Sequence, residues 1–230
     1  MTQLTLYRAN GSCSFVIHNL FLELNIPFTP VLMTFDPVIG YSATDGSLSH
    51  AAYKATVHPS GYVPALVLSS ASHSETIAEV PALLTYIAAL RPQRNLLGTS
   101  APQRARVAQW LTYISGVLHG MGVAMVWRPG RFSDDTAAHA GIVKKGFQVL
   151  EEAFGRIEAR FAEGEFLAGE SETAADYYVF VFWRMGLLAG LNMYDKFPSF
   201  GRMVERMEGK DSVRATLAAE GLTPSFPRPQ

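Results

Sequence analysis

The period of the apolar residues changes once along this chain, near residues 91–101, and that change limits the folds open to it. Before it, strand and helix signals alternate; after it, every clear signal is helical. Leu4 and Leu6 alternate with threonines and predict a short strand ending near Tyr7, which Asn10-Gly11 breaks. Phe15, Val16, Leu20, Phe21 and Leu24 then recur near helical spacing, with His18, Asn19 and Glu23 on the other side and Ser12 or Ser14 placed to cap. "IPFTPVLM" predicts a second strand, whose prolines suit an edge or a strand start. Strand, helix and parallel strand make one crossover unit. Residues 34–50, "TFDPVIGYSATDGSLSH", follow neither period, and a stretch that long is usually functional or mobile. "VPALVLSS" and the residues around Thr76-Ile77 predict a hairpin, and Pro81 opens the helix "PALLTYIAAL".

Beyond "RPQRNLLGTSAPQ" the pattern predicts one long helix from Val107 to Val126, ended by "RPGRFS", and another from Thr136 to Phe161. Thr173, with Asp176 three residues on, forms a capping box ahead of a third. Shorter helices are expected near Ser199–Met207 and Asp211–Ala219. The reading is an α/β domain over residues 1–91 and an all-helical domain over residues 102–222.

Composition narrows the partners. Apolar residues make up 48% of the chain and charged ones 17%, against a usual charged share of about 25%. A surface that economical suits a protein that hides apolar area in a partner subunit or a greasy ligand site. The formal charge is −1 and the arginines are scattered, so no basic stripe for nucleic acid is expected. The single cysteine, Cys13, allows no internal disulfide. No apolar run approaches the ~18 residues of a spanning helix, and the N-terminus lacks a signal pattern. The expectation is a cytoplasmic protein with no membrane contact and no metal.

Four local patterns together resemble the glutathione S-transferase family, with a thioredoxin-like first domain and an all-helical second. "HPSGYVPALVL" is similar to the family's "NPxGxVPAL" segment. The resemblance implies a cis Val63-Pro64 bond, with the backbone of Val63 holding the cysteinyl part of glutathione as an added strand would. "ETIAEVPALLTYIA" resembles the segment that holds the γ-glutamyl end, which implies Glu79 for the ammonium group. Val80 departs from the pattern, having no hydroxyl for the ligand's carboxylate, although its N–H lies at a helix start. "FLAGESETAADYYVF" resembles "FLxGxxxTxADxxxF", a folding device. "GSCSFVIHNLFLEL" resembles the beta class at Gly11, Cys13, Ser14, His18 and Leu22, and the zeta class through Ser12, Cys13 and Ser14.

Both classes place the glutathione thiol at the start of this helix, where positive helix charge and hydroxyl or thiol donors favour a thiolate. The resemblance therefore implies Ser12 and Cys13 as catalytic candidates, with Tyr7 ranked below them. It implies Lys54 and His58 near the glycine carboxylate. His119, Met121, Met125 and Trp127 would line a substrate pocket, His119 facing the sulfur across a cleft between the domains. The implied protein is a homodimer acting on a hydrophobic electrophile or a conjugated alkene. Conjugation is the first reading and glutathione-assisted cis-trans isomerisation, of the kind found in fungal natural-product pathways, the second. Monothiol exchange at Cys13 and a non-catalytic binding or assembly role remain open.

Overall fold

The computed structural model describes residues 2–228. In chain order the first part holds β1 (Gln3–Arg8), α1 (Phe15–Glu23), β2 (Thr29–Asp36), β3 (Gly40–Ala43), α2 (His50–Thr56), β4 (Ala65–Ser69), β5 (Ser74–Ala78) and α3 (Val80–Ala89). There follow α4 (Ala101–Tyr113), a π-helical segment (Ile114–Val123), α5 (Ala124–Trp127), α6 (His139–Glu163), α7 (Ala174–Leu188), α8 (Met193–Lys196), α9 (Pro198–Glu208) and α10 (Asp211–Ala219). Contacts divide the chain into two compact units. Among the described residues, one holds residues 2–92 together with Gly209–Pro224; the other holds Gln93–Glu208 and residues 225–228.

In the first unit the strands order as β3-β2-β1-β4-β5. β1 runs parallel to β2 and antiparallel to β4, and the outer pairs are antiparallel. Leu4 and Leu6 alternate inward as their spacing requires. Pro30 stands opposite Leu6 at the start of β2, which is not an edge strand, because β3 lies on its outer side.

That outer strand comes from residues 34–50, which therefore differ from the sequence expectation. Asp36 Oδ1 accepts the N–H groups of Val38 and Ile39, each at 2.8 Å, and so turns the chain from β2 into β3. These two donors hold the Asp36 carboxyl below its usual range. Ser49 then caps α2 by accepting the N–H of Ala52 at 3.2 Å. Turn chemistry and capping set this stretch, so side-chain periodicity does not reveal it.

A second difference concerns α1. His18 and Asn19, on the side of the helix opposite its apolar residues, are both buried. α10 covers them: Asn19 donates to Thr216 Oγ1 at 3.2 Å, and Ser212 donates to Glu23 at 2.6 Å. The sequence reading kept α10 with the helical domain to residue 222; by its contacts it groups with the first unit.

The second unit is helical. α4 begins at Ala101, earlier than the apolar period indicates, because Ser100 accepts the Gln103 N–H. The expected long helix widens to π register over Ile114–Val123, a local variant often found at functional sites. α6 approaches closely at Gly146, where a Cβ would lie 2.7 Å from Met125 Cβ and 3.1 Å from the Val126 nitrogen. The Thr173–Asp176 capping box opens α7, which is buried from Ala174 to Trp183. A helix apolar on all sides belongs in a core, and the rings of Tyr194, Phe200 and Phe226 surround Trp183.

Candidate functional site

The turn between β1 and α1 is tied to itself before it meets anything else. The Ala9 carbonyl accepts from Ser12 Oγ at 2.9 Å and from Ser14 Oγ at 3.0 Å, and the two hydroxyls lie 2.7 Å apart. Ser14 Oγ also accepts the Ala9 N–H, and Ser12 Oγ the Ser14 N–H. Neither serine side chain caps α1: Ser14 sits at the N-cap position, but its hydroxyl is turned back to Ala9. Each hydroxyl carries one proton, so in this geometry the Ser12 proton is committed to Ala9 or to Ser14.

Cys13 lies between them, buried at the mouth of α1. Its thiol donates to the carbonyl oxygen of Val63 at 3.6 Å, and Val63 precedes Pro64 in a cis peptide bond. Two residues singled out fifty positions apart are thus in contact. Val63 sits in an apolar cluster with Ala9, Met33, Tyr41, Ala43, Tyr53 and Ala65, which fixes the turn against the sheet.

The other first-unit candidates lie on β1, α2, the loop after it, and the start of α3. Tyr7 stands opposite Ala65, its ring 5.4 Å from that of Tyr53. Burial pushes its phenol up, away from the ionised form. Glu79 is exposed and precedes α3 with φ +68°, a left-handed conformation uncommon outside glycine. Strain of this kind clusters at ligand sites. Val80 is buried and opens α3. His58 is buried, and its Nδ1 accepts the Ser60 N–H at 3.2 Å. Burial lowers its pKa, with the Glu79 carboxylate pulling the other way. Lys54 is exposed in the last turn of α2.

In the second unit, His119 lies in the π-helical segment with its ring edge-on to Phe182 at 5.4 Å. Burial, helped by Arg128 and Arg131, pushes its pKa down to about 4, so it is neutral at physiological pH. Met121 and Trp127 are exposed and Met125 half-buried on the same stretch.

Sequence reasoning missed Glu220. This carboxylate accepts the Gly11 N–H at 2.8 Å through Oε2, while Oε1 lies 2.8 Å from His18 Nδ1. Arg8 Nη1 stands 3.6 Å from the same oxygen. The available signal was the four-residue spacing of Ser212, Thr216 and Glu220, a polar stripe on a short amphipathic helix. Among the described residues, no cluster of three or more His, Cys, Asp or Glu side chains could hold a metal. No described helix is long and apolar enough to cross a membrane.

Residues 125–211 match the sequence model of the glutathione S-transferase C-terminal domain. The chain thus has the glutathione S-transferase fold, and its helical part is similar to that family's C-terminal domain. It is 25% identical over 221 residues to glutathione S-transferase GST-4.5 of Xanthomonas campestris pv. campestris, covering 94% of this chain and 98% of that protein. It is 27% identical over 220 residues to maleylacetoacetate isomerase maiA of Aspergillus fumigatus, covering 92% and 89%. A sphingomonad glutathione S-transferase solved in complex with glutathione superposes with a TM-score of 0.74 at 25% identity, over 95% of this chain and all of that one.

Proposed function

We propose that this protein is a member of the glutathione S-transferase family and uses the thiolate of glutathione on a hydrophobic electrophile or conjugated alkene, with conjugation as its reaction. The observation that carries the reading is the 3.6 Å contact between the Cys13 thiol and the Val63 carbonyl. A bound cysteinyl group pairing with the Val63 backbone would take that carbonyl as its acceptor. The Cys13 S–H is then released and turns to the incoming sulfur, at a helix start that favours negative charge. Of the two neighbours proposed for this task, Cys13 is favoured over Ser12, whose proton is held within the turn. Tyr7 would be a neutral donor at most.

The remaining assignments follow the same logic. Glu79 pairs with the ligand's ammonium group and the Val80 N–H with its carboxylate, while Lys54 and His58 serve the glycine end. His119, Met121, Met125 and Trp127 contact the second substrate, His119 as a neutral imidazole. The glutathione thiol gives its proton to solvent and the sulfur attacks carbon; the displaced electron pair departs with a leaving group or, in a conjugated alkene, moves into the conjugated acceptor group, which then takes a proton from solvent. A homodimer in the cytoplasm is the proposed state.

The 27% identity to a maleylacetoacetate isomerase favours a second reading. There the thiolate adds to a conjugated alkene, the new single bond rotates, and the thiolate is expelled with no sulfur retained.

Incubation with reduced glutathione and a panel of enones and polyenes, followed by product mass, separates the two. Adduct mass supports conjugation, and unchanged mass with altered retention supports isomerisation. Absence of glutathione binding by calorimetry sinks both.

A further inference from the structure

The thiol turn is gripped from a point 209 residues away in the sequence. α1 and α10 meet through an antiparallel ladder of polar pairs: Glu23 with Ser212, Asn19 with Thr216, and His18 with Glu220. At its end the second oxygen of Glu220 takes the N–H of Gly11 at 2.8 Å. Gly11 has φ +66°, and a Cβ there would touch Leu222 at 3.6 Å. Arg8 completes the set, 3.6 Å from Glu220 and donating to Asn10 Oδ1 at 2.6 Å.

A carboxylate is poorly placed here for any purely helical purpose. Glu220 stands at the C-terminal end of α10, where the helix dipole disfavours negative charge. It is 2% exposed, and a buried ion is costly unless fully partnered. Gly11, His18 and Arg8 supply that partnership, and Gly11 directly precedes the Ser12–Cys13 turn. Gly11 is one residue from Ser12 and two from Cys13, so a loosened Gly11 displaces both candidate donors. Misplacement of about 1 Å in a reacting constellation can cost on the order of a hundredfold in rate.

We propose that Glu220 is a positioning residue, setting the Ser12–Cys13 turn against the glutathione sulfur through Gly11 and His18. The proposal rests on the thiol site assigned above. It predicts that Glu220→Ala raises the thiol pKa of bound glutathione by about one unit, leaving about tenfold less thiolate at neutral pH. Affinity changes far less, because Val63 and Glu79 are untouched. In the ligand-free protein the Gly11 amide exchanges about tenfold faster. Glu220→Gln restores most of both, since an amide oxygen can accept from Gly11 while its NH2 donates to His18.

The measurements are ultraviolet thiolate absorbance of the glutathione complex against pH, calorimetric affinity, and amide exchange at Gly11. Should Glu220→Ala fail to fold, Glu220→Asp, which keeps the charge and loses the reach, carries the same expectation. Unchanged Gly11 exchange and thiol pKa in the folded variant overturn the proposal. So does a Glu220→Gln variant as impaired as Glu220→Ala, because charge and not position would then be at work. If the unmodified protein binds no glutathione, the functional reading fails, and Gly11 exchange alone decides the clamp.

Discussion

At the scale of single residues, the turn assigns different tasks to neighbours that look alike in sequence. Ser12, Cys13 and Ser14 are three small polar side chains in a row, yet the serines close the turn on Ala9 while the cysteine reaches Val63. Cys13→Ala should therefore lower kcat/KM with glutathione by about tenfold, the worth of one unit of thiol pKa, with little change in Tm. Ser12→Ala should do the reverse, lowering stability by about 1 kcal/mol through its lost hydrogen bonds and changing the thiol less. Kinetics and thermal melts on the two variants check the division, and equal kinetic losses would contradict it. His119 makes a further prediction. With its folded pKa at about 4, against 6.5 for the ordinary group, it binds fewer protons folded than unfolded between those values. Its contribution to stability is intact above pH 6.5 and is lost as pH falls toward about 4. Denaturant melts of the unmodified protein and His119→Gln should diverge in slope across that window and run parallel above it.

Among the elements, α7 shows the opposite sign. Burial raises the Asp176 carboxyl to about 6 from 3.8, against the pull of the N–H groups of Leu167 and Thr173 and the Thr173 hydroxyl. The folded state therefore holds the extra proton through this range, and stability from this group falls as pH rises from 3.8 to about 6. Asp176→Asn removes that slope and strands the Thr173 N–H, costing about 2 kcal/mol and roughly 4–8 °C in Tm. A melt series over pH reads both effects, and an unchanged slope would refute the assignment. The capping box that carries this chemistry was legible in sequence because it is local: four residues define it. β3 was not, because Asp36 bends its own backbone there and leaves no side-chain period to read. The π register of Ile114–Val123 left the apolar pattern of one continuous helix intact, so only coordinates distinguish it.

For the whole molecule, chain order and spatial grouping part company after Glu208. The apolar face of α1 was readable from its spacing, but spacing does not say what covers the other face. His18, Asn19 and Glu23 form the side of α1 opposite its apolar residues, and α10 with Glu220 covers them from far along the chain. The same blindness hid Glu220, so the sequence supplied the thiol turn without its distant anchor. A chain truncated after Glu208 tests this grouping. It leaves His18, Asn19 and the Gly11 N–H without their partners, at about 1–3 kcal/mol for each buried group left unsatisfied. Their sum approaches the 5–15 kcal/mol that usually separates folded from unfolded states. The capping box of α7 and the Tyr194 and Phe200 rings against Trp183 remain in such a chain. Amide exchange should therefore show protection collapsing over Phe15–Phe21 and persisting in α7. If α1 keeps its protection in the truncated chain, the first unit stands without α10, and the anchoring argued for Glu220 loses its energetic basis.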